Sequence, residues 1–402
     1  MPDSSQIQKA GAGASQFQVG VLNVGIDEKR AREICDEKIS DAIRDLTAEA
    51  LGVAKERVED LVTMTLAKIQ KQKVDMSSFS DPKFQREILK AQSSAASSDR
   101  KSDIEMLSEL LVARMDGKLQ RKTHTGISRA IEIVSDVDDD ELTALTIVFA
   151  FGNFRPAPIL GISLAKGLTA LEGVYTSLGV QALPKGEGWM ENLSMLDAIV
   201  LSPFGKFKRV GDFYAEVMDG YVCVGIEKGS ADFIKAQQVL ANVGLPIDIL
   251  VCNELIQGYV RLPFVKQVEC ADLPLFQTVR DGVSGKQVEL QIKPTEAQIA
   301  AMKEVLASYK KDSQLMKEVM KAFETEWQKY PSLVVLQKWI DGIKKSFDIT
   351  KVGRALAYTN ARRCAPGLPA LNLEELVMQL TQPDTRCRIC LHERQGVSRY
   401  VR

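Results

Sequence analysis

Between Asp27 and Lys73 the chain has no proline. Its apolar residues recur mostly three or four apart: Ile34, Ile39, Ile43, Leu46, Ala50, Val53, Ala54, Val58, Leu61, Leu66 and Ile69. That is the period of an α-helix with one apolar face. Asp27 stands where an N-cap is wanted, and Glu28 falls in the first turn, where an acid complements the helix dipole. A continuous helix here would run for about 45 residues, or roughly 65–70 Å. Gly52 is the position at which it would divide in two. A helix of this length is expected to pack on partner helices, from its own chain or from a neighbouring copy.

Helical spacing returns downstream. A short helix is expected over Phe84–Ala91. Another is expected over Asp103–Met115, with Ile104, Leu107, Leu110 and Leu111 on one face, and two more near 125–134 and 139–151. Asp138 with Glu141 fits a capping-box start for the last of these. Val74–Asp81 is polar and loop-like, and Gln92–Lys101 (QSSAASSDRK) reads as a linker or exposed loop. Residues 190–292 have a different texture. Ala198–Leu201, Tyr221–Ile226, Ile247–Val251, Tyr259–Leu262 and Val288–Ile292 read as short strands, with a helix over Ala231–Val243. Helical periodicity resumes at Thr295–Tyr309, Ser313–Lys329 and Ser332–Phe347. The expected fold class is mainly α with a small mixed α+β central region. The expected division is an N-terminal segment or tail (1–26), a helical domain (27–185), an α+β region (186–292) and a C-terminal helical region (293–402).

At 402 residues, 45% of them hydrophobic, the chain can bury a sizeable core. Its formal net charge of -1 offers no electrostatic case for nucleic acid or an anionic membrane. The longest apolar run, Leu142–Gly152, is far short of the roughly 20 residues of a membrane span, so it is expected to be a core helix. No basic region followed by an apolar run opens the chain, and a cytoplasmic location is expected. The seven cysteines are odd in number and scattered, and Cys223 and Cys252 lie in apolar runs. Buried reduced thiols are the simplest reading.

The first 26 residues stand apart. Gln6–Ile26 is uncharged except for Lys9 and holds two Gln-apolar-Gln triplets. Phe17, Val19 and Val21 alternate with Gln16, Gln18 and Gly20, a strand period. A strand needs a sheet edge or copies of itself, and Gln and Asn side chains form ladders between identical stacked strands. Three readings are open: a tail, a strand in the protein's own sheet, or a self-association segment. The stretch Gln18–Val24 resembles the homotypic interaction motif of receptor-interacting kinases, a Gln, an aliphatic residue and a Gly followed by two variable residues and an Asn. It is similar also to bacterial amyloid signalling motifs, although Phe17 stands where an aliphatic residue is usual. This resemblance implies that Gln18, Gly20 and Asn23 set the stacking while Phe17, Val19, Val21 and Val24 form dry contacts.

A broader likeness covers the Gln/Gly/Asn-rich opening, the apolar strand ending near Gly25-Ile26, the long charged helix, Leu110–Ala130 and Ile349–Ala357. Together these resemble a family of uncharacterised bacterial proteins. Some bacterial proteins with such N-termini look like components of antiphage defence. Asp348–Leu356 also resembles the wing-to-helix segment of winged-helix regulators. There Thr350 would cap a helix and Gly353 would permit close packing, with Arg354, Arg362 and Arg363 adding local positive charge.

Other motifs carry less chemistry. Cys387-Arg-Ile-Cys390 with His392 has the spacing of a metal knuckle, but a structural zinc site takes four ligands and only Cys364 stands nearby. No metal is expected. The acidic run Asp136, Asp138, Asp139, Asp140 and Glu141 lacks the glycine and distal glutamate of a calcium loop and is better explained by capping. There are two histidines, His124 and His392, and no nucleophile elbow, zincin motif or phosphate loop. No cofactor is expected and the catalytic residues are unknown. The reading that follows is an intracellular, self-associating interaction or effector protein of antiphage defence. Its partners would be copies of itself and an unknown protein, with neither membrane nor nucleic acid expected. The alternatives are a winged-helix-like nucleic-acid-binding regulator, or an enzyme whose site forms only in the fold as a polar pocket with perturbed ionisable groups.

Overall fold

The computed structural model describes residues 27–42, 48–115, 121–156, 163–202, 205–263, 275–280, 287–368 and 399–401. The expected long helix folds back on itself. It is divided into α1 (Glu28–Ala42) and α2 (Ala48–Gln72), and Gly52 lies inside α2 instead of breaking it. In one continuous helix Glu28 and Gln70 would be roughly 63 Å apart; here the Gln70 side-chain amide donates to the Glu28 carboxylate. The reversal satisfies the apolar stripe within the chain. Ala31, Ile34 and Cys35 of α1 and Val58, Leu61, Leu66 and Ile69 of α2 are buried in one core, while Val53 stays exposed.

α3 (Pro82–Ser97) starts at Asp81, whose side chain accepts from the Lys83 N–H, with Pro82 at the first helical position where no N–H is needed. It runs six residues beyond the expected end, through the stretch read as a linker, and Ala91, Gln92, Ser94 and Ala95 are buried. α3 packs on α1, and the Gln92 amide donates to the Cys35 carbonyl at 3.1 Å. Packing overrides a polar composition here. α4 (Lys101–Arg114), α5 (Arg121–Ile133) and α6 (Asp139–Asn153) complete the first bundle. α6 begins with the anticipated capping box of Asp138 and Glu141, and the Leu142–Phe151 run is buried at nearly every position.

β1 (Phe154–Pro156), α7 (Leu164–Ser177), α8 (Gly188–Met195), β2 (Ile199–Leu201) and α9 (Val210–Val217) follow. A small α+β unit comes next: β3 (Ile226–Glu227), α10 (Ala231–Asn242), β4 (Val251–Cys252) and β5 (Tyr259–Arg261), in an antiparallel sheet of order β3-β5-β4. β6 (Leu275–Arg280) and β7 (Gln287–Ile292) form an antiparallel hairpin. Then come α11 (Glu296–Ala307), α12 (Ser313–Trp327), α13 (Pro331–Gly342), β8 (Phe347–Ile349), α14 (Lys351–Cys364) and β9 (Arg399–Val401). β8 pairs antiparallel with β2, and β9 pairs parallel with β1. The described chain is mainly α with a small mixed part. Among the described residues, no helix is long and apolar enough to cross a membrane.

Four of the five expected strands are shorter than expected, and Val288–Ile292 gains one residue as part of β7. Of Tyr221–Ile226 only Ile226 is in a strand, because residues 221–225 bury their side chains in irregular backbone that ends at Gly225. Gly225 has φ +80°, and a Cβ there would lie 2.2 Å from the Val260 carbonyl oxygen. Ile247–Ile249 form a 3-10 turn, leaving Val251 and Cys252 as strand.

α14 returns to the first bundle and packs on α4, α5 and α6. Thr350 is its N-cap, its hydroxyl accepting from Gly353 N–H at 3.1 Å and donating to the Asp197 carbonyl at 2.6 Å. Asn360 donates across to the Thr146 hydroxyl of α6 at 2.9 Å. Two cores result. The larger gathers buried residues from α1 to α14; the smaller is built from Ile226, Leu240, Leu245, Val260, Met302 and Val305 among others.

Candidate functional site

An open groove of about 880 Å³ runs along the seam between the two cores, within the size range of small-ligand sites. One wall is the irregular 219–225 segment, whose Val222 and Val224 belong to the larger core. The other is the end of α11, the connection 308–312 and the start of α12, contributing Leu306 from the smaller core and Met316, packed on the larger one. The Lys310 N–H donates to the Gly225 carbonyl at 2.8 Å and ties the two walls at one end.

The rim is cationic. Lys303, Lys310 and Lys311 line it, and all three are exposed. Lys310 is committed: its ammonium lies 3.2 Å from Glu227, which raises its pKa. Lys303 and Lys311 have no acidic partner among the described residues. Two carboxylates face them. Asp312 caps α12, accepting from the backbone N–H groups of Leu315 and Gln314, which hold it below the usual carboxylate range. Asp219 sits in the opposite wall.

Behind that wall lies Arg261, 1% exposed, carried by β5 of the smaller core. Its guanidinium carbon stands 4.5 Å above the Tyr221 ring, its Nη1 donates to the Leu262 carbonyl at 3.3 Å, and its Nη2 is 3.6 Å from Glu254. Glu254 in turn accepts from the Leu164 N–H at the start of α7, at 3.0 Å. One buried cation thus links both cores through a carboxylate and an aromatic face.

The ionisable groups in and behind the groove are shifted against nucleophilic chemistry. Burial, above all, pushes the Cys223 thiol up to about 12 and the Tyr221 phenol to about 12. Burial also raises Tyr309 well above its ordinary value, while its oxygen accepts from the Leu262 N–H at 2.6 Å. A reactive cysteine needs a lowered pKa; Cys223 has the opposite. At pH 8 the Cys223 thiol is therefore ionised far less than a free cysteine. Iodoacetamide at that pH is therefore expected to label exposed Cys252 well before Cys223, with Cys223 labelled only on unfolding. Peptide mass mapping over a time course checks this, and early labelling of Cys223 would contradict the burial argument.

A second groove, of about 660 Å³, lies between α5 and the β2–β8 ribbon. Its charges answer one another: Lys90 lies 2.6 Å from Glu132, and Arg129 lies 3.0 Å from Glu132 and 3.7 Å from Asp197. Lys351 and Asp348 add one charge of each sign, so the lining carries no excess of either.

The residues singled out in the sequence fall elsewhere. Phe17, Gln18, Val19, Gly20, Val21, Asn23 and Val24 lie outside the described residues, as do Cys387, Cys390 and His392. Cys364 is half-buried at the end of α14, with Sγ 3.6 Å from the Asn360 side-chain oxygen and its thiol raised by burial. Among the described residues no three metal-binding side chains cluster. Cys252 is exposed, contrary to the expectation of burial, because the two-residue strand that carries it turns it outward. Glu141 of the acidic run is buried, accepts from the Asn192 amide at 2.6 Å, and has its pKa raised by desolvation. The α14 segment forms the strand, cap and helix of the winged-helix resemblance, but Gly353 and Ala355–Ala361 are buried in the bundle. Arg354 donates to the Ile349 carbonyl and Arg363 to the Asn360 side chain. Arg261, Glu254 and the seam lysines went unnoticed in the sequence. The one signal was an arginine inside the apolar strand Tyr259–Leu262.

A family model of uncharacterised proteins matches residues 25–179. The match spans α1 to α7 and ends before the seam groove. No curated protein and no solved structure matches the chain.

Proposed function

We propose that this is an intracellular interaction or effector component of bacterial antiphage defence. It self-associates through Gln16–Ile26 and binds rather than transforms what occupies its seam groove. The observation that carries binding over chemistry is the groove itself: lysine ammonium groups at the rim, and a thiol and a phenol held protonated by burial in the wall. The strand-like period of Phe17–Val21 supports self-association. So does the exposure of Asp27, which heads α1 with its carboxylate accepting from Arg30 N–H at 2.8 Å.

Light scattering of the full chain beside a variant beginning at Asp27 tests the assembly. The full chain is expected to form an oligomer, and the shortened one to fall to a lower order while keeping its helical circular dichroism. Equal association of the two would remove residues 1–26 from any organising role.

A further inference from the structure

We infer that the seam groove is a binding site for a small amphipathic anion, an apolar ring or chain bearing one or two acidic groups. This rests on reading the groove as a binding site rather than a catalytic one. The groove separates the two features such a ligand needs. Its apolar lining comes from buried Val222 and Val224 on one side and from buried Leu306 and half-buried Met316 on the other. Its rim carries Lys303 and Lys311, ammonium groups with no acidic partner among the described residues.

Asp312 is occupied by two backbone N–H groups of α12. Asp219 lies on the wall that also carries Val222 and Val224. The ligand's charge is directed to the lysines and its apolar body toward the valines. A cationic ligand would meet three lysines at the entrance. A simple inorganic anion would leave the apolar lining unfilled, and a neutral apolar molecule would leave the ammonium groups unanswered. Both cores contribute to the walls, so an occupant that fills the groove bridges them, as ligand sites between structural units commonly do.

A matched pair of fluorescent probes tests this on the full chain. 8-Anilinonaphthalene-1-sulfonate carries the same apolar body as N-phenyl-1-naphthylamine, with an added sulfonate. The sulfonate is expected to bind one site per chain at least about tenfold more tightly than its neutral counterpart, with an affinity that falls as salt rises. The variant Lys303→Ala/Lys311→Ala is expected to erase that preference. Lys235→Ala, which removes an exposed partner of Glu304 away from the groove, should leave it intact. Inorganic phosphate at equal concentration is expected not to displace the sulfonate probe. Equal affinity for both probes overturns the proposal, as does a preference that survives loss of both lysines or ready displacement by phosphate. All three lysines are exposed, and unchanged circular dichroism of the variants verifies the fold. Failure of the self-association reading would show in molar mass, whereas failure here would show in probe affinity.

Discussion

Replacing Gly353 with alanine is expected to destabilise the protein by about 3 kcal/mol, while the same replacement at Gly52 stabilises it by about 0.5–1 kcal/mol. Both glycines lie inside helices, so alanine suits the backbone at each, and the difference is steric. At Gly353 an added Cβ would stand 2.0 Å from the Ala198 carbonyl oxygen and 2.9 Å from both its carbon and the Ile349 Cγ2. Two of the three atoms belong to the backbone that enters β2, and that backbone is held by the Thr350 N–H and hydroxyl. Relief would require α14 to lift from β2, and α14 is buried among α4, α5 and α6. At Gly52 nothing lies within 4 Å of the added carbon. Urea unfolding followed by circular dichroism distinguishes the two, with midpoints moving in opposite directions. A neutral Gly353→Ala would mean that α14 does not dock on β2 as described.

The second large effect is asymmetric. Removing Glu254 as Glu254→Ala is expected to cost about 2–3 kcal/mol, and Arg261→Met about 1 kcal/mol or less. The guanidinium is almost wholly buried, whereas the Glu254 side chain is 39% exposed. Loss of the carboxylate leaves the interior charge without its described partner and the Leu164 N–H without its acceptor. Loss of the arginine leaves a carboxylate that still reaches water and still caps α7, and methionine fills much of the vacated volume beside Tyr221. The double variant is expected to lie nearer to Arg261→Met than to the sum of the two singles. Unfolding midpoints of the three variants give the coupling directly. A more harmful Arg261→Met would assign the stability to the arginine's packing over Tyr221 instead of to its charge.

Much of the local structure was legible before any coordinates. The capping box of Asp138 and Glu141, the Thr350 cap and the helices at α4, α6, α10, α11 and α12 all follow from residues within a few positions of one another. The failures share a different cause. The 92–97 stretch looked like a linker because its serines are polar, yet Ser93 and Ser97 take the exposed face of α3 while Gln92, Ser94 and Ala95 are buried and Gln92 bonds to α1. Tyr221–Val224 looked like a strand because they are apolar, yet they are spent filling the larger core in irregular backbone. The candidate groove was invisible because its walls, 219–224 and 303–316, are distant in sequence and meet only in the fold.

Periodicity, caps and glycine positions therefore determined the helices and the mainly α class, since these depend on neighbours along the chain whose spacing repeats with the backbone's own geometry. Three features were decided by the tertiary structure alone: the reversal between α1 and α2, the return of α14 into the first bundle, and the seam on which the lysines face an apolar lining. Each joins surfaces distant in sequence, and no local period specifies which buried face will meet which. The pairing is settled by how completely the apolar surfaces and buried polar groups are satisfied together.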